Sequence, residues 1–367
     1  MLRRTGGVRG NGPLTAAETA HPPAPDRLPV GAAPVACVDI GGTKVAVNVV
    51  DARGMHGQQV EPTCKQGAPD ALAQQVLRMI RTSCQAAHIR PSDIAGVGVA
   101  SCGPFVLNRG QIELASPNIC GGLAGAARGL PNDWTAAALE APLREAFAGV
   151  RVENDGIAAL QAERRWGALQ GLDHCAYVTW STGIGTGLCV DGRVLRGKNG
   201  NAGHAGHMFV SDNMDALCGC GNIGDVEALV AGNALPRRFS AYPDAASIFI
   251  AASAGDTCAT AIIDDLCRVM GRMLYNLVIT LDLQRISLGG SVFWHHRDFL
   301  LPKVRSHIDG KLAALTQGFE LTIPLYRTAE TRTKRPFQVT DQNMTDTVNL
   351  LVEYGGLEAK AKDNPKA

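Results

Sequence analysis

From Val35 the apolar positions fall into two alternating periods. "VACVDIGGTKVAVNVVDARG" (35–54) is an apolar run, a turn at Gly41 and Gly42, and a second run alternating up to Asp51. The pattern predicts two strands joined by a glycine turn. A 3.6-residue period follows from about Asp70 to His88, with Leu72, Val76, Leu77, Ile80 and Cys84 on one face, and then the strand-like "IAGVGVAS". "VRVEND" (150–155) predicts a short strand running into the helical "GIAALQAERRWG", and "CAYVTWSTGIGTGLCVDGRVL" (175–195) predicts a second glycine hairpin. Ile262, Leu266, Val269, Met270, Met273 and Leu277 have the spacing of a core helix. Two strand, glycine turn, strand units about 140 residues apart, each opening an α/β segment, predict duplicated lobes facing a cleft where a ligand would sit.

The first 34 residues break the pattern. They hold Pro13, Pro22, Pro23, Pro25, Pro29 and Pro34 with no period of either kind, so 1–34 is expected to be a disordered extension. Its prolines also oppose the amphipathic helix of a transit peptide. At 367 residues the chain exceeds the size of one ordinary core, which agrees with two lobes. Hydrophobic residues make up 46% and charged residues 19%, and no apolar run is long enough to span a bilayer. The formal net charge of +1, with basic clustering only in "RRTGGVR", argues against a nucleic-acid partner. Eleven cysteines in a long chain without a secretory leader point to the reducing cytoplasm. Cys37, Cys102, Cys120, Cys175 and Cys189 lie in or beside strands and read as packing thiols.

Chemistry concentrates at the turns. In "DIGGTK" and "STGIGTG" missing side chains let backbone amides approach a polyanion, and the hydroxyls add donors, so either loop could cradle phosphate; each could equally be an ordinary tight turn. Asp39 could hold a divalent cation on those phosphates or simply cap its turn. Asp155 stands where a strand gives way to a helix, placed either to accept a proton from an attacking hydroxyl or to act with Asn154 as an N-cap. "NAGHAGH" (201–207) followed by "CGCGNIGDVE" (218–227) looks like half of a metal site. His295 and His296 read as exposed loop residues.

"DIGGTK", "END", "STGIGTG", the histidine and Cys-x-Cys block, and "ISLGGSV" (286–292) stand in an order that resembles the ROK family of sugar kinases and repressors, over about residues 35–300. The resemblance implies an α/β, two-lobed, actin-like (ribonuclease-H-like) ATPase fold whose central cleft closes on a sugar and ATP with Mg2+, in a homodimer. It divides the chain into an N-terminal lobe (35–152), a C-terminal lobe with a zinc-loop insertion (153–330) and a diverged tail (331–367). By the same resemblance Asp155 is the catalytic base, and Asn118, Asn154, His204, His207 and Glu227 contact the sugar. Asp39, Gly41, Gly42, Thr43, Lys44, Ser181, Thr182, Gly183 and Gly185 hold the phosphates, and Gly289 and Gly290 lie beside the nucleoside. His207, Cys218, Cys220 and Asp225 bind a structural Zn2+ that staples a glycine-rich loop.

The chain departs from the family pattern in three places. Asp225 replaces a cysteine ligand, exchanging a soft thiolate for a carboxylate oxygen. His204 replaces a glutamate, and "AGHxGH" with "STG" resembles the N-acetylmannosamine kinase branch. After "PLYR" (324–327) the chain turns polar where the family continues into a small-residue helix. The expectation is an ATP-dependent kinase for the 6-hydroxyl of a hexose, glucose first and N-acetylmannosamine second. A repressor would carry a winged helix-turn-helix ahead of the first glycine loop, for which 34 proline-rich residues are too few. A sugar-binding protein without catalysis is disfavoured because "END" and both loops are intact.

Overall fold

The structure is a computed structural model and describes residues 31–124, 129–212 and 216–324. The expectations for residues 1–30 and for the tail after Pro324 lie outside the described residues. The first lobe contains β1 (Val35–Ile40), β2 (Lys44–Asp51), β3 (Gly54–Pro62), β4 (Gly96–Ser101), the short β5 (Phe105–Asn108), β6 (Gln111–Leu114) and β7 (Ala137–Ala138), and β8 (Val150–Asn154). The second contains β9 (Cys175–Trp180), β10 (Ile184–Val190), β11 (Arg193–Val194), β12 (Arg285–Gly289) and β13 (Glu320–Thr322).

The two large sheets share one plan. The first has the order β3-β2-β1-β4-β8 and the second β11-β10-β9-β12-β13. In each, the hairpin's first strand is central, antiparallel to its partner and parallel to the two later strands. The parallel steps need crossovers, and helices supply them. Ala71–Ala87 and Glu140–Ala146 serve the first sheet, and Thr257–Leu281 and Arg297–Ser306 the second. Every residue of β1 and β4 is buried, as expected of central parallel strands covered on both faces.

The helix Ala71–Ala87 buries Leu72, Val76, Leu77, Ile80 and Cys84 against the first sheet. It stops at His88, which turns left-handed (φ 56°) and returns its N–H to the Cys84 and Gln85 carbonyls. The helix Thr257–Leu281 buries Leu266, Val269, Met270, Met273 and Leu277 in the second core, but at its start Ile263 fills the core while Ile262 is half-buried. His296 also differs from expectation. Its ring stacks on Phe249 at 3.8 Å and 7°, because the short turn after Trp294 folds it back under the neighbouring helix, whereas His295 is exposed.

The lobes join through the helix Asp155–Trp166, which starts directly at the end of β8. Ala158 packs with Val35, Cys37, Val50 and Ala100 of the first lobe, while Leu160 packs with Leu169, Cys175, Tyr177 and Cys189 of the second. The contact with β10 is backbone to backbone. A Cβ at Gly187 would lie 2.3 Å from the Gly156 carbonyl oxygen, so that site admits no side chain.

Candidate active site

The two glycine turns, Cys102–Gly103 after β4, Asn154–Asp155 after β8 and Gly289–Gly290 after β12 all follow the carboxyl ends of parallel strands, the edge at which open α/β sheets bind ligands. Each turn is more open than its strands. Thr43 and Thr182 are exposed, while β1, the body of β2 and most of β9 are buried. The first turn closes through Gly41 N–H to the Lys44 carbonyl (2.9 Å), and Thr63 Oγ1 donates to the Gly41 carbonyl (2.7 Å). Gly42 sits against Asn118, whose Cβ would be 2.9 Å from a Cβ placed there. In the second turn Ser181 N–H bonds to the Gly183 carbonyl (3.0 Å), and Ser181 Oγ meets Ser291 Oγ at 2.8 Å, tying this turn to the one after β12. Gly290 makes that junction possible, since it holds φ +96° within 2.3 Å of where a Cβ would strike the Trp180 carbonyl.

Asp155 lies between these turns. Asn154 caps the helix, its Oδ1 accepting from Gly156 N–H at 2.9 Å, and Asp155 Oδ1 accepts from the same N–H at 2.8 Å. The capping role thus falls mainly to Asn154 and leaves Oδ2 of Asp155 outside the cap. A Cβ at Gly185 of the second turn would be 3.9 Å from Asp155 Oδ1. Burial pushes the Asp155 carboxyl up to about 6; the Gly156 N–H opposes this and the charge of Glu227 adds to it. A carboxylate with such a value is a competent proton acceptor near neutral pH. Asp39 is buried (3% exposed). Asp155 and Asp39 both act on Cys102, whose thiol is pushed up to about 12 by burial first and then by Asp155.

On the second lobe His207, Cys218, Cys220 and Asp225 converge, with one ligand atom from each lying within 4.8 Å of the others. His207 Nδ1 is 3.1 Å from Asp225 Oδ2, 3.7 Å from Cys218 Sγ and 3.5 Å from Cys220 Sγ, and Cys220 Sγ is 3.5 Å from Asp225 Oδ2. Asp225 Oδ1 is used separately, accepting Ala228 N–H at 2.7 Å to cap the helix Val226–Val230. Burial opposes ionisation of Asp225, but hydrogen bonds from His207, Ala228 and Cys218 outweigh it and hold the carboxyl below its ordinary range. Glu227 spends Oε2 on Ile184 N–H of the second hairpin (2.9 Å), so it links the metal-type loop to that hairpin.

His204, carried by the second lobe, meets the first lobe. Its ring atoms Cε1 and Nε2 would be 2.9 Å from a Cβ on Gly103, whose Cβ would be 3.4 Å from Asn154 Nδ2. The backbone thus brings together Gly103, Asn154, Asp155 and His204, and by adjacency the metal-type cluster. Sequence reasoning missed Gly103 as a wall of the site, and it left Glu153 of "END" without a role. Glu153 is buried (5% exposed) and pairs with Arg151 at 2.9 Å and with Arg196 of the other lobe at 2.7 Å. The only available signal was a third polar residue before the helix.

Paired sheets of identical order, joined by one shared helix and lined at a common edge by glycine turns and a half-buried carboxylate, define a two-lobed protein of the actin-like ATPase class. The chain belongs to the ROK family, whose family model matches residues 35–330. A glucokinase of Aeropyrum pernix is 29% identical over 299 residues, covering 75% of this chain and 87% of that protein. An N-acetylmannosamine kinase of Salmonella typhimurium is 33% identical over 265 residues, covering 70% of this chain and 82% of that protein. The crystal structure of a ROK hexokinase from Thermus thermophilus superposes with a TM-score of 0.67 at 28% identity, over 89% of this chain and 99% of that one.

Proposed function

We propose that this carbohydrate kinase transfers the γ-phosphoryl group of ATP to the 6-hydroxyl of a hexose, with glucose the first substrate. The observation that carries this reading is the position of Asp155, half-buried at the head of the lobe-joining helix and beside the second glycine turn. Its carboxylate removes the hydroxyl proton as the oxygen attacks phosphorus. The amides of residues 41–44 and 181–185 donate to the phosphate oxygens, and the cleft keeps water from competing. Asn118 and Asn154 orient the sugar hydroxyls, and Gly289 and Gly290 border the nucleoside. Mg2+ held by the phosphates near buried Asp39 would supply charge neutralisation in transit.

The four-atom cluster fits Zn2+. Tetrahedral bonds of about 2.0–2.3 Å imply ligand-to-ligand separations of about 3.2–3.8 Å, close to the 3.1–3.7 Å of the three His207 pairs and the Cys220–Asp225 pair, with all four ligand atoms within 4.8 Å of one another. The metal would be a staple for the loop that carries His204, His207 and Glu227. Eleven free thiols fit a reducing compartment, and we assign the protein to the cytoplasm. Among the described residues no helix is long and apolar enough to cross a membrane. A homodimer, the expected assembly, is read by analytical ultracentrifugation.

A specific observation favours N-acetylmannosamine as the second reading. His204 Nε2 is buried with no hydrogen-bond partner among the described residues, and burial, with His207, depresses the ring's pKa, so the imidazole is neutral. A neutral ring can donate to an acetamido carbonyl, which a carboxylate cannot. A coupled ADP-release assay across glucose, mannose, fructose, glucosamine, N-acetylglucosamine and N-acetylmannosamine tests both readings. ADP release with none of them overturns the function.

A further inference from the structure

The segment Arg196–His204 leaves β11 in the second lobe yet is fastened to the first lobe. Asn201 Oδ1 accepts the Phe105 N–H at 2.7 Å, and Asn201 Nδ2 donates to the Phe105 carbonyl at 2.7 Å, across 96 residues of sequence. Phe105 opens β5, the edge strand of the small sheet β5-β6-β7, and its other neighbour in register is Leu114. An edge strand presents unpaired peptide groups, and the carboxamide of Asn201 supplies one donor and one acceptor side by side, standing in for a missing strand. Farther back on the segment, Arg196 Nε donates to Glu153 Oε1 at 2.7 Å, and Ala202 N–H closes onto the Arg196 carbonyl at 3.0 Å. Ahead, Thr186 Oγ1 donates to the Gly203 carbonyl, and His204 then lies against Gly103, two residues before Phe105.

We propose that Asn201 is a positioning residue: its two bonds to the Phe105 backbone register the sugar-side loop of the second lobe against the first lobe and so set where the His204 ring stands. The inference rests on the sugar-kinase reading for its kinetic consequence. Its structural content is independent, since both of these Asn201 bonds go to backbone and it would act on the sugar only through His204 and His207. Only a side chain with this length and with both polarities fits. Leucine keeps the shape and loses both bonds, aspartate keeps the acceptor and loses the donor, and glutamine overshoots by a methylene.

Asn201→Leu is expected to raise the KM for the sugar at least about tenfold, with Asn201→Asp between it and the wild type, while the KM for ATP stays within about twofold. A rise in both KM values alike, or a loss of melting temperature with unchanged sugar KM, overturns the proposal, because a residue that merely stabilises the fold has no reason to separate the two substrates. Amide hydrogen exchange provides a test that needs no substrate. In Asn201→Asp, Phe105 and residues 203–207 should exchange faster together. If Phe105 alone responds, the loop is positioned by something else. If the wild-type chain phosphorylates no sugar, the kinase reading fails while the exchange experiment still decides the role of Asn201.

Discussion

Asp155, the base of the proposed reaction, is also costly to the fold. Its carboxyl is raised from an ordinary 3.8 to about 6, so the folded chain holds that proton more tightly than the unfolded chain. The associated stability is present below about pH 4 and is lost as pH rises through 6, which leaves the ionised residue destabilising at pH 8 by up to about 3 kcal/mol. Asp155→Asn keeps an oxygen for the Gly156 N–H and removes the charge. It should therefore lower turnover by roughly 10² to 10⁴-fold while raising the melting temperature at pH 8 and not at pH 4. Turnover near wild type would remove Asp155 as the base. The same ionisation predicts that kcat/KM of the intact protein falls on the acid side with a midpoint near pH 6, a limb absent from the Asp155→Asn residual rate.

Elements set where these residues can stand, and much of that was legible. Both glycine hairpins, the helix over 71–87 and the strand-to-helix step at 154–155 follow directly from period and turn chemistry, because central strands and amphipathic helices write their burial into the local sequence. The stacking of His296 on Phe249 and the hold of Glu227 on Ile184 were not legible, since each depends on an element distant in the chain. Asp225 shows both kinds of information at once. The family resemblance marks it as a carboxylate in a thiolate position, but only the fold shows its second oxygen capping the helix Val226–Val230. Asp225→Cys should therefore raise zinc retention against a chelator while costing the metal-free protein about 1 kcal/mol through the lost cap. Metal analysis with and without chelator, paired with thermal melts, separates the two effects. A variant that binds no more zinc than the native chain would show that the carboxylate is not a ligand. At the junction after β12, Gly290→Ala meets Trp180 backbone at 2.3 Å with φ +96°, so it should destabilise by more than about 2 kcal/mol, the backbone strain alone costing about 1–3 kcal/mol and the clash adding to it. Soluble Gly290→Ala protein melting as the native chain does would contradict this packing.

At the scale of the molecule, two cores share one helix. Trp134 is buried in the first lobe with its indole N–H on the Gly67 carbonyl (3.0 Å), and Trp180 in the second with its indole N–H on the Val230 carbonyl (2.8 Å), so each reports its own lobe. The ties between lobes beyond the helix Asp155–Trp166 include the Arg196–Glu153 pair and the Asn201–Phe105 bonds, all toward the sugar side. The two glycine turns belong to different sheets, and in the proposed function both hold the phosphates of one nucleotide. Variants retaining only Trp134 or only Trp180 should therefore unfold in urea at different midpoints without ligand. On the proposed function, a hexose together with a nonhydrolysable ATP analogue contacts both lobes and so binds only when both are folded. At a hundred times Kd each ligand adds about 2.7 kcal/mol, equivalent to about 1 M or more of urea at ordinary slopes. Under those conditions the two midpoints should rise and converge. If they already coincide in the free protein, the shared helix alone makes the lobes one cooperative unit, and the ties at the sugar side are not what couples them.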